Sequence, residues 1–228
     1  MGGFYMVEDW QHFLLPYQQA VNELKVKLRG IRKQYQDETQ HSPIEFVTGR
    51  VKPVDSIKEK MIRRHVQEDR LEQDMQDIAG LRIMVQFVDD VEEILEVLRQ
   101  RQDMRVVQER DYIRHKKSSG YRSYHVVVEY PVDTIDGNET ILAEIQIRTL
   151  SMNFWATIEH SLNYKYKGDF PDEIKKRLET TANLAYLLDE EMGAIRDAIQ
   201  EAQALFDPLH RKLNDGVGNS DDTDEDYR

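Results

Sequence analysis

The chain has 228 residues, no cysteine and a formal net charge of −12. That length can bury one sizeable core, and the missing cysteines exclude disulfides and Cys-ligated zinc. No apolar run approaches the roughly 18 residues of a membrane span, and the start, MGGFYMVEDW, lacks the basic and apolar regions of a secretory signal. A cytoplasmic protein with no membrane partner is therefore the expectation. Residues 215–228 hold six acids and one base and carry −5 of the charge. The −7 left on the remainder disfavours indiscriminate nucleic-acid binding. Cations nevertheless cluster, five in 25–33, six in 50–64 and five in 110–122, a pattern that suits compact anions such as nucleotide phosphates.

Residues 8–36 read as a helix, because Val21, Leu24, Leu28 and Ile31 recur at helical spacing. Lys25, Arg29 and Arg32 share a neighbouring face, either solvated or an anion site. Residues 41–53, HSPIEFVTGRVKP, mix turn signals with a short apolar stretch. Within them Gly49 permits close approach of a ligand, and Arg50 and Lys52 alternate toward one side. A helix is expected over 54–64, with Ser56 and Lys60 on one face at i, i+4. Residues 78–88 alternate as a strand, Leu81, Ile83, Val85 and Phe87 against Arg82, Met84 and Gln86, with Asp77 at its entry.

Asp89-Asp90 is the expected cap of a helix that turns Val91, Ile94, Leu95 and Leu98 inward. A short strand over 104–108 follows. Strands over 124–130 and 140–149 are joined across Asp136-Gly137, a hairpin signal, and 150–167 return to helix. Pro171 suits the first position of a final helix. There Ile174, Leu178, Thr181, Ala185, Leu188, Met192, Ile195, Ile199, Ala202 and Phe206 alternate spacings of four and three. That heptad either packs on its own domain or pairs with another subunit. The fold class is α+β, a mixed sheet flanked by helices with a long C-terminal helix. One domain over 1–213 precedes an acidic tail over 214–228, expected to be disordered.

Two stretches carry candidate chemistry. In AEIQIRT, Ala143, Ile145 and Ile147 point one way while Glu144, Gln146 and Arg148 point the other. A solvent-facing strand would show the same alternation. Glu144 together with Asp77 would make a hard oxygen site for Mg²⁺. SSGYRSYH places Gly120, Tyr121, Arg122 and His125 at the mouth of a valine-rich strand, more than a plain strand requires. The P-loop, the G-x-G-x-x-G turn, the H-E-x-x-H zinc helix and the G-x-S-x-G elbow are all absent.

TGRVKP, MQDIAGLRI, SGYRSYH, EIQIRT and NFWATIEH occur in this order. Together they resemble the synthetase domain of the RelA/SpoT family, in the short form of the small alarmone synthetases of RelQ type. The resemblance runs from about residue 10 to 167. It implies a nucleotidyltransferase-like synthetase domain that moves the β,γ-pyrophosphate of ATP to the 3′-hydroxyl of GDP or GTP, with Mg²⁺, giving AMP and ppGpp or pppGpp. It implies Asp77 and Glu144 as catalytic and metal-holding, Glu144 also activating the hydroxyl. Arg50 and Arg82 would lie on adenine, and Lys52, Ser56 and Lys60 on the ATP phosphates. Tyr121 would stack on guanine with Asn153 at its polar edge, and Lys117 and His125, with Arg110 nearby, would hold the acceptor's 5′-phosphates.

The resemblance further implies a homotetramer activated by pppGpp, with Lys25, Arg29, Arg32, Phe46 and Thr48 as effector positions. Gln108-Glu109-Arg110-Asp111 is basic in one place only, so the choice between GDP and GTP stays open. No hydrolase segment is present, so the chain is expected to make the product without destroying it. Alternatives are a nucleotide- or RNA-binding regulatory protein without catalysis, a single-stranded RNA using the same cations and rings, or another nucleotidyltransferase.

Overall fold

A computed structural model describes residues 7, 9–39, 42–166, 168 and 170–216, without the side chains of 164, 165 and 205–216. Helix α1 spans Trp10–Thr39. The Asp9 carboxylate caps it, accepting the backbone N–H groups of Gln11 and His12 at 2.9 and 3.1 Å. Pro16 lies inside the helix; it cannot donate to the carbonyl four residues back. The expected stripe of Val21, Leu24, Leu28 and Ile31 is buried and is extended toward the helix start by Tyr17 and Ala20.

Strand β1 (Phe46–Val51), helix α2 (Val54–Arg64), the short helix α3 (Leu71–Asp74) and strand β2 (Ala79–Val85) follow. Helix α4 (Asp90–Gln100) leads to β3 (Arg105–Asp111), β4 (Tyr124–Thr134) and β5 (Gly137–Thr149). Among the described residues these strands form one sheet in the order β1-β2-β5-β4-β3. Only the central pair β2 and β5 is parallel, and the other neighbours are antiparallel, so the sheet is mixed as expected.

The differences from expectation have local causes. β1 lies within the stretch read as turns, because Gly49 and the flanking prolines mask a strand that earns its place by pairing with β2. β4 and β5 are longer than expected, and their loop is Ile135-Asp136. Thr134 pairs with Gly137, whose φ of 124° only glycine adopts without strain. Asp89 makes no capping hydrogen bond; Asp90, one residue on, accepts the Phe87 N–H at 3.0 Å.

The register sorts the sheet into two faces. Val47, Leu81, Ile83, Val126, Val128, Ala143, Ile145 and Ile147 join α1 and α4 in the main core. At about 25 cal/mol per Å² of apolar surface buried, this face is the chief stabiliser. The opposite face holds Thr48 and Arg50 of β1, Gly80 and Arg82 of β2, Glu144, Gln146 and Arg148 of β5, His125 of β4 and Arg110 of β3.

Helix α5 (Leu150–Lys165) is capped by Thr149, whose hydroxyl accepts the Met152 N–H at 3.1 Å. Helix α6 spans Asp172–Gly216, so it runs past the expected boundary at residue 214, and the rest of the acidic tail lies outside the described residues. By its contacts the chain divides into Met1–Asp189 and Glu190–Arg228. In the first unit α6 turns Leu178, Ala182, Ala185, Tyr186 and Asp189 inward; the predicted heptad positions Leu178 and Ala185 belong to this stripe, and Ala182, Tyr186 and Asp189 lie outside the heptad. Leu188, a heptad position, is 57 % exposed, beside Leu184 and Leu187 at 60 and 61 %. Among the described residues no helix is long and apolar enough to cross a membrane.

Candidate active site

The polar face of β5 and its neighbour on β4 is not a solvated surface. Glu144 and Arg148 are 8 and 4 % exposed, and His125 is 7 % exposed. Charged groups leave water only when paired or hydrogen-bonded, and each of these has partners. A cleft of about 200 Å³ opens beside them, lined by Thr48, Arg50, Lys52, Asp77, Arg82, Glu144 and Gln146 together with Gly49 and Gly80. The alternation read within each of two strands set Arg82 and Glu144 apart from their core neighbours; the pairing of β1, β2 and β5 brings these two and Arg50 to one surface.

Asp77 sits before β2 and is held by two ammonium groups, Lys52 at 3.1 Å and Lys60 at 2.6 Å. Lys60 reaches it from the inner face of α2; Ser56, one turn earlier, does not line the cleft. Burial pushes the Asp77 carboxyl up, but Lys60 and Lys52 outweigh it and hold it below the usual carboxylate range. Burial pushes the Lys60 ammonium down. Burial, with Arg148 and Arg50 nearby, also lowers the Arg82 guanidinium from its ordinary value. Like charges gathered on one wall mark a place where an anion relieves repulsion.

Glu144 accepts from Gln146 Nε2 at 2.7 Å and bonds His125 Nδ1 at 3.0 Å, and Arg110 stands 3.9 Å away. Burial raises its carboxyl, but His125 outweighs that and leaves it below the ordinary value. Two carboxylates, Asp77 and Glu144, thus line one cleft amid cations. Among the described residues no cluster of three or more His, Asp or Glu side chains forms a metal cage. Mg²⁺ seldom needs one, since it is usually held by one or two carboxylates plus substrate phosphates and water. The donor set fits that ion.

Beside Glu144 the loop before β4 presents Tyr121. Its hydroxyl lies 2.7 Å from His125 Nε2 and 2.7 Å from Arg148 Nη2. Tyr112 meets the Tyr121 and His125 rings edge-on at 6.2 and 5.1 Å. The Lys117 ammonium lies 4.6 Å from the centroids of both tyrosines, and burial pushes it down. Gly120 has φ of 91° and touches α6. Asn153 lies in the first turn of α5 with a buried Oδ1 that has no partner among the described residues.

The residues expected to bind an effector gather at or beside the edge strand β1. The Lys25 chain packs on Gly49, Arg29 donates to the Val47 carbonyl at 3.4 Å and Arg32 to the Ile44 carbonyl at 3.1 Å. Thr48 lies on the cleft face and Phe46 is exposed. Residues the sequence did not single out are Tyr112 and Gln76, the latter accepting from Arg110 at 2.5 Å, and the roles of Gln146 and Arg148. The last two share strand parity with Glu144, which was the signal available.

Residues 49–169 match the region found in RelA / SpoT proteins. The chain is 60 % identical over 199 residues to GTP pyrophosphokinase YjbM of Bacillus subtilis, covering 87 % of this chain and 94 % of that protein. It is similar to small alarmone synthetase 1 of Bacillus subtilis solved with its product pppGpp, at TM-score 0.81 and 60 % identity, covering 84 and 98 % of the two chains. A structure of that synthetase with AMPCPP gives TM-score 0.74 and 58 % identity over the same shares. A match that spans the cleft, the Tyr121 loop and the strand carrying Glu144 places this chain in the RelA/SpoT family.

Proposed function

We propose that the chain is a (p)ppGpp synthetase, an ATP pyrophosphotransferase acting on the 3′-hydroxyl of GDP or GTP. The observation that carries this is the juxtaposition in one cleft of Asp77 and Glu144 with Lys52, Arg50 and Arg82, with Lys60 paired to Asp77 beside it, next to a ring cluster fronted by Lys117. Arg50 and Arg82 take the adenine and Lys52 and Lys60 the ATP phosphates, with Ser56 on the same helix face as Lys60. Asp77 and Glu144 would hold Mg²⁺, which would supply charge neutralisation at the phosphates.

Tyr121 takes the guanine, and Lys117 moves from the ring to the acceptor phosphates with His125 and Arg110. The unpartnered Asn153 oxygen suits the N–H donors on the guanine edge. Glu144, ionised at neutral pH, takes the 3′-hydroxyl proton. The hydroxyl oxygen attacks the β-phosphorus of ATP, the bond from that phosphorus to the α,β-bridging oxygen breaks, and AMP leaves. Arg50, Arg82, Lys52 and Lys60 stabilise the charge that develops.

Lys25, Arg29, Arg32, Phe46 and Thr48 form the effector site for pppGpp; their convergence on β1 supports this. A homotetramer is supported by exposed apolar side chains in the first unit, Phe154 at 70 % on α5 and Leu184, Leu187 and Leu188 on α6. A single-stranded RNA regulator would engage the same cations, with steep salt dependence.

The test mixes the protein with Mg²⁺, ATP and either GDP or GTP and separates the nucleotides, with Glu144→Gln alongside. AMP forms in step with a guanosine tetra- or pentaphosphate, and the variant loses about 10²–10⁴-fold. The faster acceptor settles the preference. No AMP, even with added pppGpp, overturns the enzyme reading.

A further inference from the structure

Arg148 is 4 % exposed, yet the partners its guanidinium meets are neutral: the Tyr121 hydroxyl and the Gln146 side-chain carbonyl at 2.7 Å each, and the Ser123 hydroxyl at 3.3 Å. Neutral acceptors compensate a buried cation less than a carboxylate does, so a purely structural role is a costly use of this position. Gln146 turns its other end to Glu144 at 2.7 Å, so Arg148 is tied to the catalytic carboxylate along two routes.

The second route runs through Tyr121. Arginine only donates, so the Tyr121 oxygen accepts from Arg148. That oxygen also lies 2.7 Å from His125 Nε2, and His125 Nδ1 lies 3.0 Å from Glu144 Oε1. Arg148, Tyr121, His125 and Glu144 therefore form a single chain of hydrogen bonds. The guanidinium carbon also lies 5.2 Å from the Tyr121 ring centroid, while the ring's apolar side joins Trp155, Ala156 and Ala182.

We infer that Arg148 is a positioning residue for the acceptor nucleotide: it holds the Tyr121 ring in place through the phenol oxygen before any base arrives. This rests on the reading of Tyr121 as the ring that takes the guanine. Fixing one such side chain in advance spares its ordering cost at binding, which corresponds to a rise of several-fold to about tenfold in acceptor KM when the hold is lost.

The experiment is a double-mutant cycle in the full chain, reading KM for the acceptor, KM for ATP and kcat for wild type, Tyr121→Phe, Arg148→Gln and the double variant, with Arg148→Lys and Tyr121→Ala as companions. Tyr121→Phe keeps the ring and removes the oxygen, and raises acceptor KM several-fold. Arg148→Gln does the same, and the double variant is no worse than the poorer single. Arg148→Lys, which keeps a charged donor, recovers part of the loss. The change lies mainly in acceptor KM, which loss of packing alone would not select over ATP KM and kcat.

Fully multiplying losses in the double variant overturn the inference, because Arg148 then acts without the phenol oxygen, by touching substrate itself. Wild-type acceptor KM in Tyr121→Phe overturns it as well, and does so even if Arg148→Gln does not fold. If Tyr121→Ala leaves acceptor KM unchanged, the guanine-ring reading fails instead.

Discussion

Gly120→Ala puts the acceptor loop under a calculable strain. At φ of 91° an alanine is outside the regions open to L side chains, which costs on the order of 1–3 kcal/mol. The added methyl would also stand 2.5 Å from the Ala182 Cβ and 3.3 Å from the Glu179 Cα on α6. Neither is a flexible side-chain end, so loop or helix must shift, at a further cost of about 1–3 kcal/mol. The loop is otherwise held to α6 by Lys116 on Glu179 and Asn183 at 3.0 and 3.1 Å and by Arg122 over Tyr186 at 4.0 Å, mostly exposed contacts worth little each.

A strain of about 3 kcal/mol shifts the docked loop population by roughly a hundredfold. Apparent acceptor affinity falls with that population, so steady-state kinetics should show acceptor KM up by tenfold or more with ATP KM nearly unmoved. Ala182→Gly in the same chain removes the steric part and leaves the backbone part. It costs about 1 kcal/mol of its own as glycine in a helix, so partial recovery of acceptor KM is expected. A Gly120→Ala protein with wild-type acceptor KM and melting temperature would refute the claim that α6 mounts this loop.

Lys60→Ala leaves Asp77, among the described residues, with Lys52 as its one paired ammonium; ATP KM should rise about tenfold or more and stability fall by about 1–3 kcal/mol, read by kinetics and denaturant melts. Asn153→Ala should raise acceptor KM about tenfold, the worth of one buried hydrogen bond; equal KM values in titrations of both proteins would remove Asn153 from the base site. The Asp103 carboxyl is lowered to about 2 by its hydrogen bond from Arg101 and, against the opposing effect of burial, by Lys27. Because the folded value is depressed, its contribution is present above the ordinary carboxylate range and lost as pH falls from about 4 toward 2. Urea midpoints should show Asp103→Asn weaker than wild type at neutral pH, with the gap closing in acid; a gap that widens in acid contradicts this sign.

The sequence alone determined the local and periodic features. Period two along AEIQIRT and the strand after Asp77 separated core from cleft residues, because strand side chains can only alternate. Period 3.6 fixed the buried stripe of α1, and the ordered motifs pointed to the family. What it could not decide was set by partners distant in the chain. β1 is a strand because β2 pairs with it, though its own residues signal turns. The polar face of β5 is buried because the Tyr121 loop, α5 and the start of α6 pack beside it, and a solvated strand would have read the same. Which stripe of α6 turns inward follows Gly120, Trp155 and Thr149, which press on Ala182, Leu178 and Asp189, and a heptad repeat cannot choose among neighbouring faces. The Arg148 to Glu144 chain joins residues of β5 and β4 with the loop before β4, and only the register that sets these strands side by side brings those atoms within reach of one another.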